Sequence, residues 1–283
     1  MMRLKRLRKQ KKRNRVRVLK STVLLLAIAL LFTATSCGGP AATGRQTANQ
    51  PAEDETTWKV GIFDLDLPPL FFTDTDGSLT GFEIDLVQEA AKRMGKEIEY
   101  VRVTDTYAEA LNSGEVDVVW GNIPDTEENR ELMLLTKPYL QTQQVAVVAK
   151  DSEIEGKADL EGQVFATVKW TPIDKMMKDH SLGISFTRIS TSRDFQTTFD
   201  KLLDESVSVV LCDETMADYM LKDIDNAIVI LPESIGEVKY AAAFRQEDSG
   251  TCEKAQTALD AIASDGTGQK LSQQWFGKNL IIN

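Results

Sequence analysis

A single histidine, His180, and three cysteines, Cys37, Cys212 and Cys252, hold all the imidazole and thiol chemistry of this 283-residue chain. There is no CxxC pair and no His/Cys cluster at metal-ligand spacing. No metal site or other cofactor is therefore expected. A lone imidazole also argues against a Ser-His-Asp triad, which needs a base beside its nucleophile. Cys212 and Cys252 read as two buried small apolar side chains; a disulfide is open to them only if the chain is exported. What remains for a site is the chemistry of carboxylates, guanidinium groups and aromatic rings.

Charge is unevenly spread. The chain carries 33 basic and 43 acidic side chains, and eleven of the basic ones fall in residues 1–20. With that segment set aside, 22 basic side chains face 43 acidic ones, a net charge of −21. Such a body repels phosphate backbones, so a nucleic-acid partner is not expected. The basic segment leads into an unbroken apolar run, 23–32 (VLLLAIALLF). That order is the pattern of a secretory signal, here 1–36, and the run is shorter than the roughly 20 residues a membrane-spanning helix needs. Residues 40–57 are small and polar and read as a flexible tether.

The elements that must position any site begin at Trp58. Strand-like runs lie at 58–63, 97–103, 116–120, 143–149, 163–168, 185–189, 207–211, 227–231 and 238–244. Between them lie helical patterns at 82–94, 107–112, 195–203, 214–221, 252–263 and 269–275. In the first helix, Phe82, Leu86, Val87, Ala90, Ala91 and Met94 share one face, and Gly95 follows as a C-cap. Strands alternating with helices imply an α/β architecture with helices on both sheet faces. Asp213 directly follows an apolar strand, where it could equally cap the helix at 214–221.

Specific strings narrow this class. Pro68-Pro69-Leu70-Phe71, the run Asp76-Gly77-Ser78-Leu79-Thr80-Gly81-Phe82-Glu83-Ile84-Asp85-Leu86, Gly114-Glu115-Val116-Asp117, Thr136-Lys137-Pro138-Tyr139 and Asp159-Leu160-Glu161-Gly162 resemble solute-binding family 3. These are bacterial binding proteins of polar amino-acid ABC importers. Val210-Leu211-Cys212-Asp213-Glu214 and Trp275-Phe276-Gly277 continue the match to the C-terminus. Ala34-Thr35-Ser36 before Cys37 resembles a bacterial lipoprotein cleavage site, with Ala34 where Leu is usual. It implies a lipid on Cys37, a tether over 37–57 and anchorage on the outer side of a cell membrane.

The resemblance implies a two-lobed, type II periplasmic-binding-protein-like fold. The first lobe would be discontinuous, 58–148 with 239–283, and the second would be 149–238. Two crossover strands near Val147 and Val238 would form the hinge, with a small polar ligand held in the cleft and a membrane permease as partner.

It also implies residues. Asp213 stands where the family holds the ligand amine. Asn122 falls in the segment of carboxylate donors, and Thr171 matches a hydroxyl donor of the second lobe. Asp64 matches a polar cleft position, and Leu67 stands where an aromatic ring often stacks. The family's carboxylate-binding Arg aligns on Asn129 without a gap and on Arg130 with one, and Pro124 replaces a Ser/Thr donor. Trp120 and Trp170 lie at strand ends of opposite lobes. With Asp64 and Asp213 they would suit a cationic or aromatic ligand through cation–π contact and charge. Three readings follow: capture of an amino-acid-like solute without turnover, a sensory or scaffold module, or a dehydratase-like enzyme using Asp64, Glu83 or Asp213 as general acid or base.

Overall fold

β-Branched and aromatic runs pair into two large sheets and one two-stranded sheet, and amphipathic segments cover the faces of the large ones. The computed structural model describes residues 56–104, 106–222, 224 and 227–282. The signal segment, Cys37 and all but the end of the tether lie outside the described residues. In chain order the strands are β1 (Thr57–Phe63), β2 (Phe72–Thr73), β3 (Leu79–Thr80), β4 (Glu97–Val103), β5 (Val118–Val119), β6 (Leu134–Leu135) and β7 (Leu140–Ala149), then β8 (Val164–Val168), β9 (Arg188–Ser192), β10 (Val209–Asp213), β11 (Ile228–Ile230), β12 (Gly236–Tyr240) and β13 (Ala243–Phe244). The helices are α1 (Phe82–Met94), α2 (Tyr107–Asn112), α3 (Glu127–Leu132), α4 (Pro172–Lys178), α5 (Phe195–Leu203), α6 (Glu214–Leu221), α7 (Ser249–Ser264) and α8 (Thr267–Phe276).

The first sheet runs β4-β1-β5-β13-β6 and the second β11-β7-β10-β8-β9. β1 lies parallel to β4 and β5, whereas β13 returns antiparallel to β5 and β6. In the second sheet β8 is parallel to β9 and β10, and β7 is antiparallel to β10 and β11. Side chains alternate across a strand, so Val145 and Val147 of β7 face one core while Ala146 and Val148 face another. Both faces are buried there, which is why 145–149, the second half of the strand, reads as an uninterrupted apolar run.

Two segments pass between the sheets, and they pair with each other. β12 runs antiparallel to the first half of β7, from Gly236↔Gln144 to Tyr240↔Leu140. Beyond Gln144, β7 belongs to the second sheet.

α1 forms because its apolar residues recur at helical spacing. Phe82, Leu86, Val87, Ala90 and Ala91 are buried, together with Ile84 and Glu83. Gly95 caps it at φ 69°, in the left-handed region that glycine enters without a Cβ penalty. Gly81, just before the helix, has φ 129°, and a Cβ there would stand 2.3 Å from the Leu70 carbonyl oxygen. Helix α5 starts at Asp194, whose carboxylate accepts from the Thr197 amide at 2.7 Å and its hydroxyl at 2.9 Å. Asp194→Ala is expected to cost about 1 kcal/mol of stability, read as a lower urea midpoint at unchanged slope.

Some expected elements move. The strand expected at 185–189 lies at Arg188–Ser192, where pairing with β8 fixes it despite its polar sequence. The strand expected at 238–244 breaks at Ala241, because its first part pairs with β7 and its second with the first sheet. Helix α4 was not expected. Its start signal is plain in retrospect: Thr171 as N-cap followed by Pro172 in the first turn. Cys212 and Cys252 are both buried and free. No helix among the described residues is long and apolar enough to cross a membrane.

Candidate functional site

A cavity of about 740 Å³ opens between the two lobes. The ends of β1 and β4 supply Phe63, Asp64 and Thr104, and helices α2 and α3 add Tyr107, Glu128 and Asn129. The second lobe contributes Trp170 after β8, Lys175 of α4 and Arg193 after β9. The cavity therefore lies off the carboxyl ends of strands in both sheets, where α/β folds place their ligands. Its volume falls within the roughly 300–1,000 Å³ usual for small-molecule pockets.

The two lobes touch at its rim. Lys175 Nζ pairs with Glu128 Oε2 at 2.8 Å, which holds the ammonium of Lys175 above its usual range. Asn122 Nδ2 donates to the Trp170 carbonyl at 3.5 Å. Both residues of that contact have positive φ, 58° and 63°. Such conformations cost free energy in residues with a side chain, and they persist where neighbours hold them. Trp170 is held further by its amide, which donates to Asp174 Oδ2 at 2.9 Å. The residue is 47 % exposed, and its ring carries the Arg193 guanidinium 5.4 Å from its centroid.

Of the eight ligand residues expected from the sequence, Asp64 and Trp170 line the cavity, and Asn122 lies beside it through its bond to Trp170. The other five lie elsewhere. Leu67 is fully buried, bridged to Phe71, and packs in the first core. Trp120 is also fully buried, stacked on Tyr139 with centroids 5.8 Å apart. Thr171 spends its hydroxyl on the α4 cap: it donates to Val168 O at 2.8 Å and accepts from the Asp174 amide at 3.3 Å.

Arg130 turns away from the cavity. Its Nε meets Asp125 Oδ1 at 2.6 Å, and a terminal nitrogen reaches the Thr136 carbonyl at 3.4 Å. One residue earlier on the same helix, Asn129 faces the cavity and donates to the Pro124 carbonyl at 2.7 Å. Of the two candidates for a carboxylate contact, Asn129 therefore lines the cavity and Arg130 does not.

Asp213 is 3 % exposed and does not line the cavity. Its Oδ1 accepts from the Thr142 hydroxyl at 3.0 Å, the Thr215 amide at 2.9 Å and the Thr215 hydroxyl at 2.7 Å. Its Oδ2 accepts from Gln144 Nε2 at 3.2 Å and the Tyr240 hydroxyl at 2.9 Å. Thr142, Gln144 and Tyr240 all belong to the paired crossover strands. Burial raises the Asp213 pKa, and hydrogen bonds from Thr215, Tyr240 and Thr142 act against that rise.

A second buried acid, Glu83, sits in the first lobe at 1 % exposure. Its Oε2 accepts from the Tyr139 hydroxyl at 2.7 Å. Burial pushes its pKa up to about 8, and Tyr139 and the nearby Trp120 indole pull the other way. The indole falls short of hydrogen-bond geometry, so Trp120 Nε1 and Glu83 Oε1 are both without a partner.

Sequence reasoning missed Arg193, Lys175, Tyr107 and Phe63. The Arg193 signal was its place at the end of β9, hidden while that strand was expected three residues earlier. Among the described lining residues, the hydroxyl of Thr106 and the carboxylate of Glu109 bond to each other at 2.7 Å as the capping box of α2. His180 stacks on Phe186, centroids 6.2 Å apart, and no metal-binding cluster occurs among the described residues. The arrangement can hold a solute between aromatic surfaces and opposite charges.

Known proteins share this plan. The L-cystine-binding protein TcyJ of Escherichia coli (strain K12) is 26% identical over 216 residues, covering 75% of this chain and 80% of its own. An ancestral arginine-binding protein bound to glutamine superposes with a TM-score of 0.70 at 29% identity, over 80% of this chain and 100% of the other. The ancestral amino acid-binding protein AncCDT-1, a precursor of cyclohexadienyl dehydratase, superposes with a TM-score of 0.68 at 27% identity, over 78% and 95% of the two chains. Residues 59–278, nearly all of the two-lobed body, match a single family pattern, and the chain belongs to the bacterial extracellular solute-binding proteins, family 3.

Proposed function

We propose that this protein captures an amino-acid-like polar solute between its lobes, without turnover, and delivers it to the membrane permease of an ABC importer. The observation that carries this reading is the cavity itself. Strand ends of both lobes build it, and aromatic and charged side chains line it from either side. A ligand there touches both lobes at once, so its binding favours the closed arrangement.

The family places the chain outside the cytoplasm. The finer arrangement proposed is a signal over 1–36, a lipid on Cys37 and a tether over 37–57. The lobes are 58–148 with 239–283, and 149–238. Support for a hinge between them comes from β7 and β12, whose pairing at 140–144 and 236–240 is the narrow link between the sheets.

The test is thermal unfolding of the purified protein, with tryptophan fluorescence, against L-arginine, L-histidine, L-glutamine, L-cystine and simple amines. Trp170 is exposed at the cavity and reports occupancy directly. A ligand at 1,000 times its dissociation constant is expected to add about 4 kcal/mol of stability. Silence across the panel would sink solute capture and favour a scaffold role. Turnover of a bound ligand would favour the enzyme reading, for which Asp64, the one of the three candidate acids that lines the cavity, is the group to test.

A further inference from the structure

Among the described residues, five charged side chains line the cavity: Asp64, Glu109, Glu128, Lys175 and Arg193. Three are already committed. Glu109 accepts from the amide and hydroxyl of Thr106 at 3.2 and 2.7 Å. Glu128 and Lys175 neutralise each other. The remaining two, Asp64 and Arg193, have no hydrogen-bond or ion-pair partner for their side chains among the described residues. They are opposite in sign and sit on opposite lobes.

We propose, given that the cavity binds a solute, that it holds a dipolar one in the orientation opposite to the family pattern, its carboxylate on Arg193 of the second lobe and its cation on Asp64 of the first. The family pattern implies a carboxylate on an Arg of the first lobe and an amine on Asp213 of the second. Both of those groups are withdrawn here. Arg130 is paired with Asp125, its position facing the cavity being taken by Asn129. Asp213 is saturated by five hydrogen bonds from its own chain.

Arg193 is built to replace the missing charge. The Trp170 face beneath it orients the guanidinium while leaving its N–H edges for a carboxylate. The tryptophan is itself fixed from both lobes, through Asp174 and Asn122. Asp194, next in sequence, is occupied with Thr197 and does not neutralise its neighbour. Neither lobe alone carries both charges, so only a solute with both ends satisfies the site, and doing so ties the lobes together.

Isothermal titration of the purified protein tests this with L-arginine, L-histidine and L-cystine, each beside its decarboxylated counterpart agmatine, histamine or cystamine. For each amino acid that binds, Arg193→Ala is expected to weaken affinity by about 10- to 100-fold, the value of a charge-assisted hydrogen bond. Arg193→Lys should recover part of the loss, since it keeps the charge but not the planar fork. Arg130→Ala should leave affinity unchanged. Wild-type affinity for the amine should already be reduced and insensitive to Arg193→Ala, whereas Asp64→Asn should weaken amine and amino acid alike. Arg193 and Asp64 are exposed, so unchanged melting temperatures will show that the variants fold. Amino-acid affinity indifferent to Arg193→Ala, or lost in Arg130→Ala, overturns the orientation while leaving capture standing. Failure of every probe to bind the wild type overturns capture itself, and the orientation with it.

Discussion

Replacing Glu83 by Gln is expected to stabilise the protein at pH 8 and to flatten a fall in stability that the wild type shows between about pH 4.5 and pH 8. The carboxyl group is sealed from solvent in the first core, with the Tyr139 hydroxyl as its one hydrogen-bond donor and Oε1 unpartnered. Its pKa rises from 4.5 to about 8, first because burial disfavours the charged form. In that window the folded chain keeps a proton that the unfolded chain releases. Stability is therefore full below the unfolded value and declines as pH rises towards the folded one. At about 1.4 kcal/mol per unit, the decline across the window is on the order of 5 kcal/mol. The amide introduced by Glu83→Gln keeps the shape and can still accept from Tyr139, but has no proton to lose. Urea denaturation at pH 5 and pH 8 reads the difference. Equal wild-type stability at the two values would show that the acid ionises freely when folded.

Removing the Asp213 carboxylate is the second large perturbation. It lies where β10 passes into α6, caps that helix through the Thr215 amide, and gathers Thr142, Gln144 and Tyr240 from the crossover strands. Asp213→Ala leaves several buried donors without an acceptor, at about 1–3 kcal/mol for each group left unsatisfied. A total loss of about 3–5 kcal/mol is expected, in line with other broken buried charged networks. Asp213→Asn should cost far less. It keeps an oxygen for the cap, and Gln144 can flip its amide to offer the Oε1 atom that now has no partner. The urea midpoint of the two variants distinguishes this role from ligand binding: a pure ligand contact would leave the unliganded protein's midpoint unmoved.

The scaffold was more legible in the sequence than the site, for a physical reason. Helices α1, α2, α5 and α6 and strand β4 occupy the residues that periodicity assigned, because an apolar stripe and a cap are properties of the local chain. Which way a strand-end residue faces is not local. Leu67 and Trp120 have the composition of cleft-lining groups, yet their neighbours Phe71 and Tyr139 draw them into the core. Thr171 and Asp213 stand at strand-to-helix junctions, where the residue types that bind ligands are also those that cap helices. The choice between Asn129 and Arg130 turned on one step of helical rotation in α3. Arg193 was missed because a polar strand, held by its pairing with β8, carries no hydrophobic period to mark where it ends.

The return of the chain to its first lobe has a consequence for how the protein is made. β1, β4 and β5 are synthesised early, but β5 finds its antiparallel neighbour only in β13, and the crossover strand β7 is bridged near its start by the tail, Leu140 to Ile281. A ribosome delivers these partners last, and contacts so distant in sequence form slowly. Until then the early strands present an open edge and an uncovered core. The lobe whose strands are made first is thus the lobe completed last.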